Sequence, residues 1–173
     1  MVRPSLLAGG IVAALAVGAW LFSPGISPAQ AGPGPGGGHT GTYLIEFKVG
    51  SFSLLAVATI HADGTWTMSD QTDFGGIPGF ESVSAPWRGF WEFTGRNQTT
   101  FRGLALNFGS DGFPTTVNRL TGVVTWTHGF DEGEAVTSQR IYSPGEDPLD
   151  PDAGTPAGPP LDALAGTIRK MVE

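Results

Sequence analysis

The 173-residue chain contains no cysteine. Disulfides, thiol chemistry and zinc sites built on cysteine are excluded, so the fold must rest on its core. Histidine is scarce: His39, His61 and His128 lie far apart and carry no metal-ligand spacing. There is no Gly-x-Ser-x-Gly elbow and no P-loop. The glycine run 36–38 precedes a predicted strand, not a helix, so it is not a phosphate cradle. Basic residues are few as well. Nine Lys and Arg stand against sixteen Asp and Glu, a formal charge of −7. That balance disfavours nucleic acid and anionic membranes as partners.

Only one long apolar run is present, and it lies at the N-terminus. Residues 1–31 have the pattern of a secretory signal peptide. Arg3 supplies the positive start, 6–22 is apolar and uncharged, Pro24 and Pro28 break any helix, and Ala29-Gln30-Ala31 offers small residues for cleavage after Ala31. The run is slightly short for a membrane span of about 20 residues, which favours cleavage over a retained anchor. With no cysteine after it, lipoprotein attachment is excluded; with no twin arginine before it, export in the unfolded state is favoured. The expected location is secreted or periplasmic, with no membrane association after cleavage. Loss of Arg3 leaves eight basic against sixteen acidic residues, a formal charge of −8.

What the mature chain has in quantity is β-pattern and turns. Residues 32–41 read as a Gly/Pro-rich spacer. From there seven strands are expected, at 42–49, 52–61, 65–71, 87–93, 99–108, 115–127 and 135–142. Ala62-Asp63-Gly64 and Ser110-Asp111-Gly112 are hairpin signals, because Gly accepts the positive φ of a tight turn. Strand 52–61 is apolar on both faces and is expected to be central or doubly covered. Strand 115–127 is long enough to bend or bulge near Gly122. The stretch 72–86 is the longest internal loop and a candidate binding or lid loop.

Sequential strands without intervening helical period imply antiparallel neighbours. The predicted fold is an all-β, antiparallel up-and-down barrel of seven to eight strands over 42–143, with a sandwich as the alternative. Residues 144–160 read as a Pro/acid-rich linker that forms no core. Over 161–173 a short C-terminal helix is expected, because Leu161, Leu164, Ile168 and Met171 fall near helical spacing.

The catalytic inventory is thin. Turns meeting at one barrel end would gather His61, Asp63, His128 and Asp131, but solvated turn residues are the plainer reading, and no metal or cofactor is implied. Asp150 and Asp152 lack the glycine and distal glutamate of a calcium loop. Asn97-Gln98-Thr99 fits a glycosylation acceptor. The larger signal is a set of strand residues. Phe47, Trp66, Met68, Trp91, Phe101 and Trp126 are candidates to line an apolar cavity. Tyr43, Glu92, Asn107 and Arg119 are the candidate polar or catalytic groups. Arg119 shares a face with Val117, Thr121 and Val123. Inside a barrel it would need Glu46, Asp70, Glu92 or a ligand carboxylate as partner; otherwise it faces solvent. The small residues Gly103 and Ala105 would let the sheet bend or a ligand come close.

Gly41-Thr42-Tyr43 resembles a degenerate form of the Gly-x-Trp start of lipocalin-type barrels. His61-Ala62-Asp63-Gly64-Thr65 followed by Gly89-Phe90-Trp91-Glu92-Phe93-Thr94-Gly95 resembles small bacterial calycin-like or allene-oxide-cyclase-like barrels. Tyr stands where the lipocalin Trp is expected, and the lipocalin disulfide is missing. The resemblance implies a barrel that binds a small hydrophobic or amphipathic molecule in its cavity. It equally accommodates a cofactor-free cyclase or isomerase. A structural or surface-interaction protein using the acidic tail is the third reading. Whether the chain is an enzyme, and its oligomeric state, stay open at this point.

Overall fold

Alternating β-branched and aromatic residues, punctuated by glycine turns, fold into extended chain almost throughout. The computed structural model describes residues 39–74, 83–159, 161 and 163–171. The predicted leader and residues 32–38 of the spacer lie outside these. Ten strands are present among the described residues: β1 (Gly41–Val49), β2 (Phe52–Ile60), β3 (Thr65–Asp70), β4 (Val83–Ser84), β5 (Trp87–Gly95), β6 (Gln98–Phe108), β7 (Pro114–His128), β8 (Glu132–Tyr142), β9 (Thr155–Pro156) and β10 (Leu164–Lys170). A short 3-10 turn covers Gln71–Phe74.

Eight of them close a ring in the order β1-β2-β3-β5-β6-β7-β8-β10, every pair antiparallel. The expected up-and-down barrel is the architecture observed. The two extra strands, of two residues each, sit at one end: β4 pairs with the end of β6 (Ser84 opposite Asn107) and β9 with the end of β8 (Ile141 opposite Thr155).

The expected C-terminal helix is not formed. Leu164–Lys170 is instead the eighth barrel strand, with Ile168 opposite Ile45 of β1 and Gly166 opposite Ala135 of β8. Leu164 and Ile168 are buried at a spacing that serves a strand as well as a helix. Closure decides between the two, because β1 and β8 would otherwise present bare edges. Two further expectations are met only in part. No bulge forms at Gly122: the β6–β7 and β7–β8 ladders run in register across it, and their irregularities fall at Asn107/Phe108 and Trp126/His128. β2 is central, paired with β1 and β3, but it is not doubly covered, since Leu55 and Val57 on its outer face are exposed.

Inward positions carry the core. Tyr43, Ile45 and Phe47 of β1 pack with Leu54, Ala56, Ala58 and Ile60 of β2, Trp66 and Met68 of β3, Trp91, Phe101, Leu120, Val124, Trp126 and Ile168. Small inward residues face the rings. Gly89 and Gly103 lie directly opposite each other, and Trp66 lies against them, its Nε1 donating to the carbonyls of Phe90 (3.0 Å) and Arg102 (3.1 Å). The close approach expected at Gly103 is thus made by an indole of the chain itself.

Residues 143–157 follow the outside of β7 and β8. Arg140 donates to the carbonyls of Ala153 (3.0 Å) and Gly154 (2.9 Å), and the Tyr142 hydroxyl to that of Asp150 (3.1 Å). Tyr142 is fully buried there, outside the central core. The segment forms no core of its own, as expected, yet it is fastened to the barrel wall.

Candidate functional site

The two barrel ends differ in chemistry. One is closed by rings. The β7–β8 turn folds Phe130 back at φ 149°, a strained value for a non-glycine residue, and its ring meets those of Trp126 (5.6 Å), Phe93 (5.6 Å) and His39 (5.1 Å). His39 also stands edge-on to Trp91 and Phe93. The Tyr43 hydroxyl lies between the carbonyls of His39 (2.8 Å) and Phe130 (3.1 Å). Burial, reinforced by the charge of Asp131, pushes the Tyr43 pKa up to about 12. At neutral pH this phenol is a fixed donor.

His39 is buried, and its Nδ1 has no hydrogen-bond partner among the described residues. Burial, then the positive charge of Lys170, hold its pKa below the ordinary 6.5. A histidine whose folded pKa is depressed favours the folded state above its unfolded pKa. That contribution is lost as pH falls below about 6.5 towards the folded value. The melting temperature should therefore drop between pH 7 and pH 5, and His39→Phe should flatten that drop. Thermal melts of both proteins across this range check it.

The other end is partly open and joins polar groups to apolar ones. A cavity of about 110 Å³ lies between β1 to β8, the 3-10 turn and residues 157 and 161. Val49, Phe52, Leu54, Ile141, Ala157 and Leu161 form its apolar side. Asp70, Thr72, Ser84, Asn107, Asn118 and Gln139 form the polar side, with Trp87 between. The amides of Asn107 and Asn118 bond each other reciprocally at 3.0 and 3.2 Å, and Asn107 also donates to Thr116 (2.9 Å). The Asp70 carboxylate accepts from the Thr72 backbone N–H (2.7 Å), the Thr72 hydroxyl and Trp87 Nε1 (3.2 Å). Ser84 reaches Thr72 at 2.6 Å and donates to Asp73 at 3.4 Å. Burial and the charge of Asp70 raise the pKa of Asp73.

Of the four predicted polar groups, Asn107 alone lines this cavity. Tyr43 belongs to the closed end. Glu92 faces outward and pairs with Arg102 at 3.1 Å, an exposed contact worth at most about 1 kcal/mol. Arg119 also faces outward. In place of Glu46, Asp70, Glu92 or a ligand, its partners are the carbonyls of Pro148 and Leu149, each at 3.4 Å. The predicted aromatic lining divides in two. Phe47, Trp66, Met68 and Phe101 surround a central void of about 30 Å³, roughly the share of one water molecule. Trp91 and Trp126 serve the closed end, where Trp126 Nε1 donates to the buried Thr99 hydroxyl (2.8 Å). That bond also occupies the glycosylation sequence, since Asn97 donates to the Trp126 carbonyl. His128 lies 3.5 Å from Glu132, and no group of three metal-ligating side chains gathers among the described residues.

Sequence reasoning missed Trp87, Asn118 and Gln139, and took Asp70 only as a partner for Arg119. A signal was present. Asn107 continues the inward row of Phe101, Gly103 and Ala105, Asn118 that of Leu120 and Val124, and Gln139 that of Ala135 and Thr137. Each row turns from apolar to amide at the same end.

Comparison with protein-family models, with curated proteins and with solved structures returned no match. The likeness to calycin barrels therefore stands at the level of the closed antiparallel barrel.

Proposed function

We propose that this is an exported barrel that binds a small amphipathic molecule at its open end. The observation that carries the reading is the sharp change of the inward rows from packed rings to a hydrogen-bonding wall facing an apolar one around an open cavity. Such a combination of apolar surface with a few convergent polar groups is the ordinary make-up of a ligand site. Its size sets the ligand. An enclosed apolar cavity of about 150 Å³ holds benzene, so the cavity here takes a head group or a short chain, with the remainder of a larger molecule at the rim. The filled centre argues against a ligand threaded along the barrel axis.

The cyclase or isomerase reading keeps Asn107 alone of its four polar groups at the cavity, so binding is the reading we carry. Export rests on the sequence pattern of 1–31, and N-terminal sequencing of the secreted protein should begin at Gly32.

Binding is tested by a nuclear magnetic resonance screen of small amphipathic fragments. Shift changes should cluster at Asp70, Trp87, Asn107, Asn118 and Gln139. Ala157→Phe, which fills the cavity from its apolar side, should abolish them while the melting temperature stays within a few degrees. Changes scattered over the surface, or persisting unaltered in the filled variant, would refute the reading.

A further inference from the structure

The charge at the open cavity is of one sign. Among the described residues Asp70 is the single charged residue lining it, and Asp73 stands just behind, bonded to the Asp70 N–H (3.3 Å) and to Ser84. No Lys, Arg or His lines it among those residues. The two arginines nearest in sequence to the polar rows, Arg119 and Arg140, point outward and are spent on main-chain carbonyls. An anionic head group would enter a cavity that holds a carboxylate and offers no cation, which costs binding energy through repulsion and desolvation.

We infer that the open cavity selects molecules with a cationic head, a primary ammonium on a short apolar body, and rejects carboxylates. The inference rests on the binding function proposed above. An ammonium presents three donors and no acceptor. The acceptors available match it: the Asp70 carboxylate, the side-chain carbonyl oxygens of Asn118 and Gln139, and the Ser84 hydroxyl. Phe52 and Leu161 on the facing wall offer contact for the methylenes, and the Trp87 indole adds an aromatic ring at the boundary. The acidic balance of the whole chain works in the same direction, drawing cations towards the protein at low ionic strength.

The test compares three six-carbon probes, n-hexylammonium, hexan-1-ol and hexanoate, titrated into the full-length mature protein at pH 7 and low salt. Amide shifts of Asp70, Asn107 and Asn118 are the readout. Hexylammonium should bind about tenfold more tightly than hexanol, the scale of one charge-assisted hydrogen bond, and hexanoate should bind most weakly. Asp70→Asn should bring hexylammonium to the level of hexanol. Gln139→Glu, which adds a second carboxylate without touching the Asp70 bonds or the Asn107–Asn118 pair, should widen the preference and serves if the first variant folds poorly. Hexanoate binding as tightly as hexylammonium overturns the inference. Equal binding of all three overturns it while leaving the binding function intact. No binding of any probe at the cavity overturns both.

Discussion

Gly89→Ala should leave the protein without a folded barrel. A Cβ at Gly89 would lie 1.8 Å from the carbonyl oxygen of Arg102 and 2.6 Å from the Cα of Gly103. Both are backbone atoms of the neighbouring strand and cannot turn aside. To admit the methyl group, β5 and β6 would have to part where they are clamped by Trp66, whose Nε1 donates to carbonyls on both. The indole would lose its seat, and two part-buried carbonyls would lose a donor. Backbone overpacking combined with the loss of both hydrogen bonds places the cost above about 4 kcal/mol, against a total stability of about 5–15 kcal/mol for a domain. Gly95→Ala on the same strand is the contrasting case. Its Cβ would first meet the Gln98 side chain at 3.4 Å, an ordinary contact, so its cost should stay within about 0.5 kcal/mol. Urea melts of the two variants separate the outcomes. Similar stability in both would remove the Gly89–Gly103–Trp66 contact as a basis of the fold.

A chain ending at residue 163 should lose cooperative unfolding altogether. It lacks β10, whose Leu164 and Ile168 are each 1% exposed and whose backbone pairs with β1 on one side and β8 on the other. Without it the sheet opens, the core beside Ile45 and Ala135 meets water, and two unpaired edges invite association between molecules. Adding a peptide of residues 164–173 should restore the melt and the dispersed amide spectrum. A truncated chain that melts cooperatively within about 1–2 kcal/mol of the full protein would contradict the role of β10 as a barrel strand, since a helix packed on the outside could be lost at about that cost.

The seven earlier strands were legible because turn chemistry and period-2 alternation agree there. Asp63-Gly64 and Asp111-Gly112 place glycine where φ is +85° and +78°, and the inward rows of β1, β3, β5 and β6 are the ones alternation picks out. The eighth strand was not legible. Leu164 and Ile168 fit either periodicity, and only the distant edges of β1 and β8 resolve the ambiguity, which no local pattern contains. The order of the tail was not legible for a different reason. Its prolines and acids rule out a core but not order. Asp147 and Asp150 accept the N–H groups two residues ahead, at 2.9 Å each, and so shape turns. The candidate site was half visible. Asn107 stood out within a strand, whereas the importance of Asn118 and Gln139 depends on which face each row presents, and that is fixed by closure. Arg119 went the other way, since its side of the sheet is the one covered by residues 148 and 149.

The fastening of that tail has a consequence for how the protein varies and where it can work. Arg119, Arg140 and Tyr142 grip carbonyl oxygens, which every amino acid supplies, and none of the tail's carboxylates pairs with them among the described residues. Apart from Asp150, whose carboxylate shapes its turn, side chains along 148–153 are thus open to exchange without loosening the grip. Attachment of this kind is also little affected by ionic strength, so the tail can stay in place from dilute water to brine.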